Sequence, residues 1–421
     1  MIIAWFVLAG IMGAAEVAPA SKPNYRTNLA AALRAEDPAA IRAAVATAER
    51  VLGDKAGEPE VADRYTPVTT QARWLTPTEA QVGFTPHFGR LEKLSWWRIG
   101  LDPTQLTQAL RAPASILSGH VAAARAQLDG AERSLARAKD AVVFLEWTQA
   151  QASVGLFPFP AARASSSDRA MQVGADFIAR AERAGQLDRV VKNGWAVDDL
   201  GDGGLQFDNA ECGVAMFEYY ELTADPVALA SARRAADWAL RQPLVPNWNY
   251  NSFSVWLLAK AHAVTGEATY LAAAKKKALL GVIPGQLTSG PHAGRWVDPH
   301  NARPAYHYIM LRALTQLVAV IPTADSDRTL VLQSLRLGLV TRNAEFNTLG
   351  IMNREIALET LLLVHQVFNA DPGFLKATHS TRALEILAGA LSEDARHQKV
   401  SVSPRAWGQF LAYTKNRLTP P

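Results

Sequence analysis

Side chains able to do acid/base or binding chemistry are concentrated in three stretches that lack the apolar periodicity of helices. The stretches are residues 194–209, 243–251 and 285–303. Each combines aromatic rings with Asp, Asn, His or Arg. Such a surface suits sugars, whose C–H faces stack on rings and whose hydroxyls need paired donors and acceptors. The candidate sugar-binding residues, from these stretches and the helix starts near them, are Trp195, Trp248, Asn249, Asn251, Trp296, Tyr306, His307 and Arg354.

Asp208 and Glu211 form the first candidate catalytic pair. They stand three residues apart at a predicted helix start, which places them on one face with Cβ atoms about 5–6 Å apart. Paired carboxylates of this kind hydrolyse glycosidic bonds. The same spacing is also typical of a capping box, so a purely structural interpretation stays open. Asp298 and His300, from a different stretch, are the predicted partners across a cleft.

The same residues also allow elimination chemistry. A polysaccharide lyase needs an Asn or Arg to neutralise a uronate carboxylate and a His or Tyr to abstract the neighbouring proton. The residues of those types are Asn249, Asn251, Arg354, His300, Tyr306 and His307. The residue types therefore do not choose between a glycoside hydrolase and a lyase.

The elements that must position these residues are helical hairpins. Asp37-Pro38, Asp225-Pro226 and Asp371-Pro372 each separate two segments of helical apolar spacing. Asp suits the N-cap, and Pro suits the first helical position because its missing N–H costs nothing there. Strand signals are scarce, so the sequence predicts an all-α protein.

A heptad pattern precedes most of these hairpins. Val121, Leu128, Leu135 and Val142 recur every seven residues with Ala between them. This spacing predicts one long helix that packs closely on a neighbour.

Repeated hairpins form either an open α-solenoid or a closed α/α toroid. Here the connections ahead of the hairpins are long, and loops of about 12 or more residues are usually functional. Since they recur at one point of the repeat, we expect them to gather at one end of an α/α toroid. A non-catalytic glycan-binding toroid and an α-solenoid interaction protein remain the alternatives.

Two hairpin segments carry a family resemblance. Residues 212–226 and 253–274 are similar to the repeats of six-hairpin α/α toroid glycosidases and polysaccharide lyases, and the similarity extends over about residues 140–395. The resemblance implies a carbohydrate cleft where the loops preceding the inner helices converge. It carries no catalytic residue across, because it is a resemblance of helix pattern.

Composition limits the classes of molecule that the protein is expected to bind. Among 421 residues, 43 Lys and Arg against 39 Asp and Glu give a net charge of +4, and no basic run is longer than Lys275-Lys276-Lys277. We therefore expect a carbohydrate ligand and no nucleic acid. One cysteine, Cys212, excludes an internal disulfide and a multi-thiolate zinc site. We expect no metal and no cofactor. The oligomeric state is not predictable from these features.

The chain start predicts export. Residues 2–15 are almost entirely apolar but shorter than the roughly 20 residues of a membrane span. Ala18-Pro19-Ala20 offers a cleavage site, so residues 1–20 are predicted to be a signal peptide for the periplasm or the extracellular space. No Lys or Arg precedes the apolar run, which leaves an uncleaved anchor as the alternative. Residues 21–100 are predicted as a helical segment packed on the barrel, and residues 101–421 as the toroid, which should not contact the membrane after signal removal.

Overall fold

The computed structural model describes residues 25–61, 64–68, 73–86, 111–152, 155–161, 169–399 and 401–418. The predicted signal peptide lies outside the described residues. The described chain is almost entirely helical, as the sequence predicted. Its helices are α1 (Tyr25–Ala35), α2 (Pro38–Leu52), α3 (Pro77–Val82), α4 (Arg111–Arg125), α5 (Ala131–Ala152), α6 (Arg169–Arg183), α7 (Leu187–Val190), α8 (Leu205–Thr223), α9 (Pro226–Arg241), α10 (Trp248–Thr265), α11 (Ala268–Gly281), α12 (Pro304–Val320), α13 (Ser326–Leu349), α14 (Arg354–Val367), α15 (Pro372–Ala377), α16 (Ser380–Arg396) and α17 (Pro404–Leu418).

Strands are limited to three two-residue segments in the described chain. β1 (Phe159–Pro160) and β2 (Val191–Lys192) each pair antiparallel with β3 (Trp195–Ala196). Among the described residues, no helix combines the length and hydrophobicity needed to cross a bilayer.

Six of the described helices form a closed inner ring. Going round the ring, α4, α8, α10, α12, α14 and α17 each pack against the next, and α17 packs back on α4. Five outer helices lie behind this ring: α5 packs on α4, α9 on α8, α11 on α10, α13 on α12, and α16 on α14. This arrangement is the predicted α/α toroid.

The outer helix behind α17 comes from the beginning of the chain. The short helix α3 packs against α17, and the indole Nε1 of Trp407 donates to the carbonyl oxygen of Gly83 at 2.8 Å. The backbone N–H of Leu75 donates to the hydroxyl of Ser392 on α16 at 3.1 Å. Residues before and after the predicted domain boundary at residue 100 therefore pack together as an outer and an inner helix. The boundary itself stays a prediction.

Ring closure depends on two glycines. A Cβ atom on Gly408 of α17 would overlap the backbone carbonyl of Gly119 on α4 and lie 2.9 Å from its Cα atom. A Cβ atom on Gly119 would in turn overlap the carbonyl of Pro404. The first and last inner helices therefore cross with their backbones in contact.

The predicted caps are confirmed. The side chain of Asp37 accepts from the backbone N–H groups of Ala39 and Ala40 at the start of α2. Asp225 caps α9 and Asp371 caps α15 in the same way, each followed by its proline.

The predicted long helix is wrong in one respect. The heptad residues Val121 and Leu128 do not share a helix with Val142, because the chain turns between α4 and α5. Gln127 and Gly130 adopt φ angles of 52° and 75° in this turn, a left-handed conformation that ends a right-handed helix. The heptad spacing continues across a hairpin and not along one helix.

Candidate active site

A pocket of about 380 Å³ opens at the end of the ring where the inner helices begin. Most of its lining belongs to the first turns of α4, α8, α12, α14 and α17, or to the residues immediately before them. The lining residues are Arg111, Ser115, Phe207, Glu211, Ile309, Arg312, Asn353, Arg354, Glu355, Ile356, Glu359, Ser401 and Arg405. The position matches the end at which the loops were expected to converge.

Arg312 forms the centre of the pocket floor. Its Nη2 donates to a carboxylate oxygen of Glu211 at 2.8 Å, and its Nη1 donates to Glu359 at 2.6 Å. All three side chains are buried. One guanidinium from α12 therefore joins carboxylates from α8 and α14 across the interior of the ring.

A second arginine fixes Glu211 from the other side. Arg405 of α17 forms an ion pair with the Glu211 carboxylate, and its Nη2 donates to the Glu211 backbone carbonyl at 3.1 Å. Trp256 of α10 lies beside both arginines, with its ring centre 3.6 Å from the guanidinium carbon of Arg312 and 5.5 Å from that of Arg405. Two cations thus bind Glu211, and the Trp256 ring lies over both of these cations.

Around the pocket, carboxyl groups outnumber the two buried arginines, Arg312 and Arg405. Four glutamates act on Arg312, namely Glu211, Glu218, Glu355 and Glu359. Burial raises the pKa of Glu359 to about 8, opposed by the attraction of Arg312 and assisted by repulsion from Glu355 and Glu218. Glu359 therefore holds its proton to a higher pH than an ordinary glutamate does.

The rim of the pocket contains a second ion pair. Arg111 of α4 donates to both carboxylate oxygens of Asp208, at 2.7 and 3.1 Å. Its guanidinium carbon lies 3.5 Å from the ring centre of Phe207. The Phe207 ring in turn stacks on Phe253 at 4.1 Å. Asp208 is buried under this arginine and does not line the pocket.

The capping-box interpretation of Asp208 and Glu211 is wrong. Helix α8 begins at Leu205, and its N-cap, Gly204, makes no side-chain cap. Both acids lie inside the helix, where their backbone N–H groups need no such cap, and both pair with arginines of other inner helices.

The opposite wall of the pocket is the start of α14. Asn353 precedes the helix with a left-handed φ of 43°. Arg354 pairs with Asp394 at 3.2 Å. The carboxylate of Glu355 accepts from the backbone N–H of Ser403 at 3.2 Å. Of the predicted sugar-binding residues, Arg354 is the one that lines this pocket.

Asp298 and His300 lie elsewhere. The Asp298 carboxylate accepts from the backbone N–H of Asn301 at 3.0 Å and from its side-chain amide at 3.0 and 2.9 Å. His300 contacts Glu60 through Nδ1 at 3.0 Å. Neither residue lines the pocket, so neither faces Glu211 across it. We assign Asp298 to the turn before α12, because its oxygens are occupied there.

The three loop tryptophans belong to the core. Trp195, Trp248 and Trp296 are only 1%, 0% and 0% exposed. The indole of Trp296 donates to the carbonyl of Val282 at 2.8 Å, and Trp195 meets Trp147 edge-on at 5.9 Å. Rings without an exposed face cannot stack on a sugar, so polar flanking residues were a misleading signal.

The predicted asparagines also make structural contacts. Asn251 is buried and bonds through its side chain to the backbone of Val245 and Gly281. Asn249 is buried, and its backbone N–H donates to the side chain of Asn301 at 2.9 Å. These contacts join α10 to the loops beside it.

Tyr306 and His307 have different surroundings although they are adjacent. Tyr306 is half-buried with its ring 4.9 Å from that of His300. His307 is fully buried with its ring edge-on to Trp296 at 5.1 Å. Burial lowers the pKa of His307 well below its usual range, so this ring is neutral. Neither side chain lines the pocket.

Sequence reasoning missed most of the pocket. The missed charged residues are Arg111, Arg312, Glu355, Glu359 and Arg405. A signal was present for two of them, since Arg312 and Glu359 each interrupt an otherwise apolar helical run. A charge inside such a run is seldom buried without a partner. Within the described residues, no group of three or more His, Cys, Asp or Glu side chains has an arrangement that holds a metal ion.

Solved structures share this fold. A polysaccharide lyase matches with a TM-score of 0.50 and 14% identity, over 81% of this chain and 97% of its own. A glycosyl hydrolase of family 88 from Bacteroides vulgatus matches with a TM-score of 0.51 and 12% identity, over 82% of this chain and 99% of its own. No family model and no curated protein matches the sequence. The protein has the six-hairpin α/α toroid fold that the resemblance implied.

Proposed function

We propose that the protein is a glycoside hydrolase that binds an oligo- or polysaccharide end in the pocket at the start of the inner helices. The observation that carries the proposal is the pair of acids on α14, because Glu355 and Glu359 both line this pocket and lie one helical turn apart. Residues spaced in this way share a helix face with Cβ atoms about 5–6 Å apart. Glycosidases use two carboxyl groups at comparable separations.

The proposal gives the two acids different roles. Burial raises the pKa of Glu359 to about 8, so Glu359 is the proposed proton donor, and Glu355 is the proposed nucleophile. Glu359 passes its proton to the departing sugar oxygen as the glycosidic C–O bond breaks. At this separation Glu355 forms the new bond to the anomeric carbon, and water then displaces Glu355 from that carbon and gives its proton to Glu359. Environments that separate the pKa values of two neighbouring acids are typical of acid/base pairs.

The remaining charges keep this pair in place. Arg312 contacts Glu359 directly and is itself fixed by Glu211 and Trp256. Glu211 is a positioning residue in this proposal, since two arginines already occupy its carboxylate. The sequence predicted Glu211 to be the acid or the base, and this positioning role replaces that prediction.

Two alternatives receive less support. A lyase built on His or Tyr lacks its base, because no His or Tyr is among the residues that line the pocket in the described chain. A protein that only binds glycans has no need of a buried acid with a raised pKa in its pocket. The related fold of a lyase and a glycosyl hydrolase is compatible with each of these functions.

The proposal also includes export of the protein. Residues 1–20 have the composition of a signal peptide, so we propose that the hydrolase acts in the periplasm or outside the cell. A carbohydrate is its proposed ligand.

The test is a turnover assay on a panel of neutral and uronate-containing oligosaccharides. New reducing ends without ultraviolet absorbance from an unsaturated product are expected for hydrolysis. Glu359→Gln should lower turnover by about 10²- to 10⁴-fold. The control is Glu385→Gln on α16, whose carboxyl is partly exposed and outside the pocket. Unsaturated products would indicate a lyase, and full activity of Glu359→Gln would remove its assigned role.

A further inference from the structure

A segment near the beginning of the chain crosses the end of the ring beside the pocket. It comprises residues 57–66, of which 57–61 and 64–66 are described, and we call it the strap. Its first part is bound to the loop before α12. The backbone N–H groups of Gly57 and Glu60 donate to the carbonyls of Val297 and Pro299, each at 3.0 Å.

Side chains strengthen this attachment. The Glu60 carboxylate binds His300 at 3.0 Å and also Arg303. Arg295 donates to the carbonyl oxygen of Gly57 at 3.0 Å. His300, which the sequence suggested for catalysis, therefore helps to hold the strap, together with Arg303 and Arg295.

The second part of the strap is bound to the turn before α14. Thr66 and Ile351 form an isolated antiparallel bridge, with both N–H···O distances at 2.7 Å. Gly350 makes the approach possible, since it adopts a φ of 110° and a Cβ atom there would overlap the Thr66 carbonyl. The backbones are thus in direct contact two residues before Asn353 of the pocket wall.

A half-buried ionic network centred on the buried Arg342 lies under the bridge. The hydroxyl of Tyr65 donates to Glu345 at 2.9 Å and accepts from Arg342 at 3.2 Å. Glu345 also pairs with Arg295 at 2.7 Å, which links the network to the first attachment of the strap. Both attachments therefore act on one connected set of charges.

From these contacts we infer that the strap is a positioning element of the active site, which sets the turn at residues 350–353 so that Asn353, Arg354 and Glu355 face the pocket. This inference deepens the proposed function and rests on it for its catalytic consequence. The Asn353 side chain makes no capping hydrogen bond that would hold its left-handed φ of 43°. The backbone bridge to Thr66 supplies that restraint from outside.

Thr66 allows a matched test because its side chain is exposed and only its backbone makes the bridge. Thr66→Pro removes the N–H that binds the Ile351 carbonyl, whereas Thr66→Ala retains it. Hydrogen exchange of the amides in residues 350–356 should rise about tenfold in Thr66→Pro, as expected for loss of one hydrogen bond. Exchange in α10, which the strap does not touch, should match that of Thr66→Ala.

A milder variant protects the test against misfolding. Tyr65→Phe removes the hydroxyl between Arg342 and Glu345 and should raise exchange in the same residues by a smaller factor. Equal exchange at residues 350–356 in Thr66→Pro and Thr66→Ala would overturn the inference. So would a rise spread evenly over the whole chain in both Thr66→Pro and Tyr65→Phe.

Turnover measurements distinguish a failure of this inference from a failure of the proposed function. On any saccharide that the wild type hydrolyses, Thr66→Pro should lower kcat/KM about tenfold with a melting temperature close to that of Thr66→Ala. Both kcat and KM should change, because the displaced wall contains a catalytic acid and binding residues. If the wild type hydrolyses nothing, the function fails, while the exchange result still decides the role of the strap.

Discussion

Glu211 and Glu359 bind neighbouring nitrogens of one guanidinium, that of Arg312, although they lie on inner helices separated in the ring by that arginine's own helix and by α10. These ionic contacts are possible because the side chains of Glu211, Arg312 and Glu359 all point into the ring. Charges buried in this way are costly unless each is paired. The network therefore restrains the ring as well as the pocket.

Replacing Glu211 should destabilise the fold. Glu211→Gln leaves Arg405 buried without its anionic partner, and breaking a buried pair from one side costs roughly 3–5 kcal/mol. We expect a clearly lower midpoint of denaturant unfolding.

The control for Glu211→Gln is Glu221→Gln, which removes an exposed acid of the same helix that pairs with Lys260 and Arg125. Exposed pairs contribute about 0–1 kcal/mol. Equal unfolding midpoints for the two variants would contradict the assignment of Glu211 to the buried network.

The proton on Glu359 makes stability depend on pH. Its pKa is about 8 in the folded protein against an ordinary value of 4.5, so the folded state holds the proton more tightly. The resulting stabilisation is complete below about pH 4.5 and is lost as pH rises through about 8. Glu359→Gln has no proton to lose. We expect the wild type to lose stability relative to this variant between pH 5 and 8, by at most about 1.4 kcal/mol per pH unit.

Chemical unfolding of both proteins at several pH values in this window checks the direction. The comparison cancels the other titrating groups, because they are common to both chains. A wild type that gains stability relative to Glu359→Gln as pH rises would mean that Glu359 is ionised and held by Arg312.

The helical plan was accessible from the sequence, since Asp37, Asp225 and Asp371 mark helix starts by local chemistry that needs no knowledge of the fold. The pocket was not accessible in the same way. Arg111, Arg312 and Arg405 come from distant parts of the chain. Only ring closure places the first on Asp208 and the other two on Glu211.

Loop polarity misled the sequence-based site for a physical reason. Asn251 lies in the first turn of α10 and is polar because its side chain binds the backbone N–H and carbonyl of Val245 in the preceding loop. The same polarity is expected of a binding surface, and sequence alone does not separate the two. Burial separates them, and it depends on how the loops pack against one another.

A substitution of Asp298 tests whether this acid has a structural or a catalytic role. Asp298→Asn replaces an acceptor oxygen with an amide that faces the donors of Asn301, at a cost of about 1–3 kcal/mol. We expect a lower melting temperature with turnover per folded molecule close to that of the wild type. The control is Asp188→Asn at the exposed start of α7. Loss of turnover at unchanged stability would return Asp298 to the active site.

Gly408 tests whether contact between α4 and α17 closes the ring. Alanine usually stabilises a helix relative to glycine, by up to about 1 kcal/mol. At residue 408 the new methyl would meet the Gly119 backbone, which cannot rotate away as a side chain does. Overpacking of this kind costs about 1–3 kcal/mol. Gly408→Ala should therefore unfold at a lower temperature than the wild type in calorimetry, and Gly119→Ala should do the same because it meets the carbonyl of Pro404. The matched control is Gly373→Ala on α15, where the new methyl would lie 3.3 Å from the Asp371 side-chain oxygen that caps the helix and would meet no backbone of another element. There alanine should cost clearly less stability than at residue 408. If Gly408→Ala behaves like that control, the two helices do not meet through their backbones and the ring is closed by side chains alone.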